Sequence, residues 1–443
     1  MTILCGDMLN IILNFLPIST IYKFKLLNKQ FNDFIDNRFI LFYYYCHKIN
    51  KNIIKKYSRY LQKIIIYTHT NLTNNPYDMD HNLEDNDPNE LNKLENNDLI
   101  DLNKLEILVT PYGEHITDGG LKYIPNIKHL ELHNNNSITE EGLKYISNVH
   151  HLILPHCNSI VDNGLKYISD IQYLDIYANV HITDIGLKYI PNAKHLNLHN
   201  NNNITDIGLK YISNIEYLNL HSNNKITDNG LKCIPNIKNL DLCSNRIITN
   251  NGLKYIPNIQ NLNLYFNNNI TDDGLKCIPY IECIKIFINT NITDEGLKYI
   301  PNVQTMDLFK NNNITDEGLK YIPHIKYLNL CCNTNITDEG LKYIPHIQHL
   351  SLDKNTNITN EGLKYIPHIK YLGLYCNTNI TDEGLKYIPN IQHLDLDKNT
   401  NITDEGLKYI PHIQYLDLHS NTGITSKGLK YIPNVGLLFC TIK

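Results

Sequence analysis

Ile336 to Pro345 reads I-T-D-E-G-L-K-Y-I-P, and fifteen variants of this phrase follow one another along the chain. Its glycine stands at Gly120, Gly142, Gly164, Gly186, Gly208, Gly230, Gly252, Gly274, Gly296, Gly318, Gly340, Gly362, Gly384, Gly406 and Gly428, each step 22 residues long. A strict period of this length, with no insertion or deletion, predicts a solenoid. One such unit orders many backbone bonds for a few buried side chains, so only a stack of them is stable.

One unit, begun at Ile325, runs I-x-x-L-x-L-x-x-N-x-x-I-T-D-E-G-L-K-Y-I-P-H. Leu328 and Leu330 are two apart and share one face of a strand. Leu341 and Ile344 are three apart, a helical spacing. Thr337 and Asp338 are N-cap residue types, and Asp338 and Glu339 place negative charge at the helix start. Pro345 stops the helix, leaving room for about two turns, of α or 3₁₀ type. Asn311, Asn333, Asn355, Asn377, Asn399 and Asn421 share the position after the strand, with Cys157 there in one unit. An amide there can both donate to and accept from the backbone groups that the turn strands. The fold class is therefore α/β: a horseshoe with parallel strands on the concave face and short helices on the convex face. Its unit resembles the leucine-rich repeat, L-x-x-L-x-L-x-x-N.

N/C-x-x-I-T-D-x-G-L is similar to the repeat of the F-box leucine-rich-repeat proteins, and Cys157 to Leu165 is the copy nearest to it. That family's repeat is usually a few residues longer and usually has Cys where this chain has its Asn ladder. Residues 8–45 carry no repeat. Apolar spacing predicts a first helix ending at Pro17, a second with Ile21, Phe24, Leu27 and Phe31 on one face, and a third segment from Phe34 through Tyr45. Phe15-Leu16-Pro17 with Ile21, then Leu27 to Phe31, resembles a degenerate F-box, with Asn28 and Phe31 where that motif has Cys and Trp. The resemblance implies a substrate receptor of a Skp1–cullin–F-box ubiquitin ligase, in which Leu16, Pro17, Ile21, Leu27 and Phe31 contact a Skp1-like adaptor. The other reading is a helical cap over the first repeat, in a scaffold or inhibitor with no ligase role.

The expected organisation is an F-box-like segment over residues 1–50, a degenerate repeat with an acidic Asn-rich insert over 51–104, and the solenoid over 105–443. Leu61 precedes Leu105 by 44 residues, two periods, so the array is expected to begin near residue 60 with one eroded unit. Asp98-Leu99 and Leu102 fall where later units have Gly-Leu and Ile. Between Asp78 and Asp101 stand nine acidic residues and one lysine, the composition of a solvated loop. The chain ends on a strand, where apolar Leu437 and Phe439 either cover the open end or meet a partner.

Composition narrows the function. A net charge of −5 argues against binding nucleic acid by phosphate neutralisation. No apolar run approaches about 18 residues, and the start has no basic leader, so neither a membrane span nor a secretory signal is expected. Eleven cysteines, an odd number without a C-x-x-C pair, read as intracellular thiols in the cytoplasm or nucleus. The Asn-Ile-Thr triplets then arise from the repeat rather than from glycosylation. The abundance of Asn, Ile, Lys and Tyr fits an A/T-rich coding sequence. No metal, cofactor or nucleophile motif is present, so a non-enzymatic protein is expected.

Alternate strand residues line the concave face. Its central row reads Glu131, Ile153, Asp175, Asn197, Asn219, Asp241, Asn263, Lys285, Asp307, Asn329, Ser351, Gly373, Asp395, Asp417, flanked by His and Tyr such as His195, His199, Tyr371, Tyr375 and His393. Asp175, Asp241, Asp307, Tyr371, His393, Asp395 and Asp417 are the candidate target-binding residues, suited to a protein with a basic surface. The lysine in every repeat, Lys122 through Lys430, is expected to lie on an ion-paired, solvated face, since acids such as Glu339 lie three residues before Lys342, and the tyrosines beside it to pack between repeats.

Overall fold

A computed structural model describes residues 41–45, 63–67, 94–110, 113–133, 135–286 and 291–440. They fall in two compact units, Met1–Ala193 and Lys194–Lys443. In the first, the strands are β1 (Leu41–Tyr45), β2 (Lys63–Tyr67), β3 (Ile107–Thr110), β4 (His129–Leu132), β5 (His151–Ile153) and β6 (Tyr173–Asp175), each parallel to the next. In the second, a parallel ladder runs from His195–Asn197 to Leu437–Cys440. Register follows the sequence period: Leu328 pairs with Leu350, and Leu394 with Leu416.

Two expectations at the start of the array are corrected. The segment from Phe34 through Tyr45, expected as a third helix, has β1 at its end. Leu41 pairs with Lys63, 22 residues on, so among the described residues the ladder starts at Leu41 and not near residue 60. β-branched and aromatic side chains favour a strand over a helix, and both β1 and β2 are built of them. Lys63 then pairs with Ile107, two periods away. The acidic insert ends earlier than its composition suggests: Asn96–Leu99 is a 3₁₀ turn, and Leu94, Leu99, Leu102 and Leu105 are fully buried. They fill a repeat's core positions, as the spacing predicts.

The convex element is a single four-residue helical turn, such as Asp338–Leu341, and so half the expected length. Three repeats go further. Lys144–Ile146, Lys166–Ile168 and Lys210–Ile212 continue as 3₁₀ helix, and each is followed by Ser147, Ser169 or Ser213 where other repeats have proline. Proline disfavours helical dihedrals in the residue before it, which ends the element one turn sooner.

Ile325, Leu328, Leu330, Ile336, Leu341 and Ile344 are sealed between strand and helix. Three systems of polar contacts join one repeat to the next. In the first, buried Asn333 donates to the Asn311 carbonyl and accepts from the N–H groups of Asn335 (2.9 Å) and Ile336 (3.0 Å). Where Cys157 replaces Asn, its thiol still donates to the Ile138 carbonyl, at 3.3 Å.

The second system is a latch. Asp316 Oδ1 accepts from the Thr337 N–H (2.8 Å) and Oδ2 from the Thr337 hydroxyl (2.6 Å), one repeat on. Thr337 Oγ1 in turn accepts from the Glu339 N–H at 3.2 Å, capping its helix. Gly340 is glycine for a steric reason: a methyl group there would run into Asp316 Oδ1. Asn96, Asn250 and Asn360 replace the latch Asp; their Oδ1 still accepts from the Thr N–H, but the bond to the Thr hydroxyl reverses. The Asn250 amide donates to Thr271 Oγ1 at 2.8 Å, and Thr271 makes no cap bond to its helix. Thr117 and Thr381, facing Asn96 and Asn360, likewise make none.

The third system lies on the helix side. Lys342 pairs with Glu339, as the spacing predicts, and stands 5.1 Å from the centre of the Tyr365 ring in the next repeat. Glu339 is 68% exposed, and exposed pairs of this kind contribute about 0–1 kcal/mol, so the latch and the Asn ladder carry the stacking.

Candidate partner-binding face

The strand face differs from the rest because its side chains are not fixed by the repeat. Within the first unit, the rings of His129, His151 and Tyr173 form one row, with centroids 3.8 and 3.9 Å apart and planes within 11°. Beside it, Glu131 lies 2.6 Å from His133 Nε2. Burial opposes ionisation of Glu131, but the hydrogen bond to His133 and the His129 ring, whose Nε2 stands 3.8 Å away, outweigh it and hold the carboxyl at about 2. Burial pushes His151 down to about 4, so this ring is neutral at pH 7.

Within the second unit, His195 stacks on Tyr217 at 3.8 Å and His199 on His221 at 4.1 Å. A longer file follows, Tyr327, His349, Tyr371, His393 and Tyr415; His349 and Tyr371 are closest at 3.7 Å, and the stack is interrupted between Tyr371 and His393, which are 6.3 Å apart and tilted by 34°. Stacked pairs contribute about 0.5–1.5 kcal/mol each beyond burial, so the row also stiffens the face. Burial, with the charge of His393, holds His349 down to about 4. Asp395 and Asp417 stand opposite one another on neighbouring strands, next to this row. Burial pushes Asp395 up to about 6; the Asp397 N–H pulls the other way, and the charges of Asp353, Asp417 and Asp397 add to the rise.

All seven candidate target-binding residues lie on strands and are half-buried. The structure brings Tyr371, His393, Asp395 and Asp417 together. Asp175 belongs to the first unit, and Asp241 and Asp307 lie three strands apart. The central row has a local task that spacing alone did not reveal. Asp241 Oδ1 accepts from the Cys243 N–H (2.8 Å), Asp307 from Phe309 (3.0 Å), Asp395 from Asp397 (2.9 Å) and Asp417 from His419 (2.9 Å). Asn or Asp is favoured there because its side chain bonds the backbone two residues on, closing the strand end. Gly373 has no such side chain, and Asp353, on the turn after the neighbouring strand, takes the Tyr375 N–H instead, at 3.0 Å. Sequence reasoning also missed Asp353 and Asp397, which add acid to the flanking row. The five proposed adaptor contacts, Leu16, Pro17, Ile21, Leu27 and Phe31, lie outside the described residues. Among the described residues no helix is long and apolar enough to cross a membrane, and no group of three His, Cys, Asp or Glu is placed to hold a metal ion.

The family profile for the Leucine Rich repeat matches residues 123–147, 194–213, 211–234, 257–278, 301–322, 321–344, 343–366, 365–388, 387–411 and 409–432. The chain is a leucine-rich-repeat protein. The matched segments include the latch threonine, glycine and buried Leu of their repeats. No curated protein matches the sequence. Among solved structures, a chain of the TLR13–ssRNA13 complex is similar at 18% identity and a TM-score of 0.57, over 78% of this chain and 61% of that one. A chain of the mouse RP105/MD-1 complex is similar at 15% identity and 0.53, over 94% and 78%. A chain of the Toll–Spatzle complex of Drosophila gives 13% and 0.50, over 91% and 61%. These likenesses establish the solenoid fold of the leucine-rich-repeat chain.

Proposed function

We propose that this leucine-rich-repeat protein is a non-catalytic, intracellular substrate receptor of an F-box-type ubiquitin ligase. Its strand face selects a protein target, and its N-terminal segment docks a Skp1-like adaptor. The observation that carries target binding is the row from Tyr327 to Tyr415 beside Asp395 and Asp417. It is an aromatic surface, stacked at His349–Tyr371, with acid along it, suited to a partner with a basic patch. The ligase role rests on the F-box resemblance at Leu16, Pro17, Ile21, Leu27 and Phe31. In an adaptor pull-down, the intact chain retains a Skp1-like protein, and Leu16→Asp with Phe31→Ala abolishes retention. No retention, or retention unaffected by those changes, overturns the ligase reading.

One observation favours the rival reading, a scaffold without ligase function. β1 lies inside the expected 1–50 segment and already pairs with β2 in the parallel ladder. An array's terminal apolar edge needs a cap, and the chain that leads into it can supply one. Deleting residues 1–36 separates the two readings: a docking module leaves the unfolding midpoint in place, whereas a cap lowers it.

A further inference from the structure

Cys331 and Cys332 are neighbours in the chain, and their sulfurs lie 3.6 Å apart. Cys331 is buried at the end of the Tyr327–Asn329 strand, with its N–H held by Asn329 Oδ1 at 2.9 Å. Cys332 is half-buried on the turn that follows, at φ 57°, and its N–H donates to the Asp353 carbonyl at 2.9 Å. The repeat does not demand thiols here. The same two places hold Phe309-Lys310, Asp353-Lys354 and Asp397-Lys398 in other repeats. A third thiol is out of reach along this row. Cys376 occupies the place of Cys332 two strands on, roughly 9–10 Å away at the ladder spacing, beyond disulfide range.

We propose that Cys331 and Cys332 are a redox site that closes to a vicinal disulfide under peroxide and reopens with thiol reductant. Cys332, the more exposed thiol, reacts first. Its thiolate attacks one peroxide oxygen, the O–O bond breaks, hydroxide leaves, and Cys332 becomes a sulfenic acid. The Cys331 sulfur then attacks the Cys332 sulfur, and the sulfenic oxygen departs with the Cys331 proton as water. The pair loses two electrons and the peroxide gains them. Burial pushes the Cys331 thiol up to about 12, which suits it to resolve rather than to attack first. Consecutive Cα atoms across a trans peptide are about 3.8 Å apart, below the usual disulfide range of about 4.4–6.8 Å, so the closed form is strained and easily reduced. Strained disulfides are the labile, regulatory kind. The closed ring also twists the turn that holds the Asp353 carbonyl, next to the Tyr327–Tyr415 row.

The test uses the full chain, reduced, freed of reductant and titrated with hydrogen peroxide. Trypsin releases both cysteines on one peptide, Tyr327–Lys342. The expected result is that this peptide loses two hydrogens, is joined to no other peptide, and regains them with dithiothreitol. Cys332→Ser abolishes the loss, and Cys376→Ser leaves it unchanged. The inference is overturned if the peptide only gains oxygen, if it becomes linked to a different peptide, or if it stays a dithiol while other cysteines oxidise.

Discussion

The helix side of the repeats is written almost identically fifteen times, and the strand face is not. Between Thr337 and Ile344 every side chain has a task inside the stack: Thr337 caps, Asp338 latches, Gly340 clears the latch, Leu341 and Ile344 fill the core, Glu339 pairs with Lys342, and Tyr343 lies under Lys320. On the strand face only the central Asn or Asp has such a task, and it tolerates Ile153, Lys285, Ser351 and Gly373. A surface relieved of structural duty can diverge from repeat to repeat, and divergence gives a repetitive molecule one distinct patch. The helix side should therefore govern stability, and the strand face binding.

The largest effect is expected at the Asn ladder. Asn333→Leu takes the side-chain amide from the buried Asn311 carbonyl and the buried Ile336 N–H and removes the acceptor of the Asn335 N–H, and should destabilise by about 4 kcal/mol, read by urea unfolding. Gly340→Val drives a branched side chain into Asp316, breaks the latch and should cost about 3 kcal/mol. A change smaller than about 1 kcal/mol at both sites would break the contrast. Asp338→Asn sharpens it. Thr359 should then accept from the new amide and drop its bond to Glu361, as Thr381 does behind Asn360, at about 1 kcal/mol.

On the strand face the effects should appear in pH dependence. Asp395 sits near 6 in the folded chain against an ordinary value of 3.8, so the folded chain holds an extra proton between those values. Its contribution is most favourable below about 4 and declines as pH rises toward 6; Asp395→Asn should flatten that slope. Glu131, at about 2 against 4.5, has the opposite sign: its contribution is complete above 4.5 and lost as pH falls toward 2.

The period, the strand and helix positions, the Asn ladder and the Lys–Glu pairs were legible because each is a spacing between residues of one type. The latch was not. It joins Asp316 to Thr337, 21 residues apart, and both residues also read as ordinary helix-cap types. Its signal was there in the glycine two residues after each Asp, which needs no special φ and so had to answer to a close approach. The first strand was missed because Leu41 to Tyr45 lacks the repeat's Leu pattern. The acid of the central row was legible as composition, but its backbone bonds were not. Asp at a strand end serves recognition and turn closure with the same atoms.

The measurement that bears most directly on this account is the register of the second unit's ladder. Cysteines introduced by Asp395→Cys and Asp417→Cys, with Cys376→Ser, stand on in-register strands about 4.8 Å apart and should join under mild oxidation. The pair Asp395→Cys and Tyr415→Cys, two residues out of register, should not. Cross-linking of the second pair in preference to the first, or of neither, would contradict stacking at a 22-residue period.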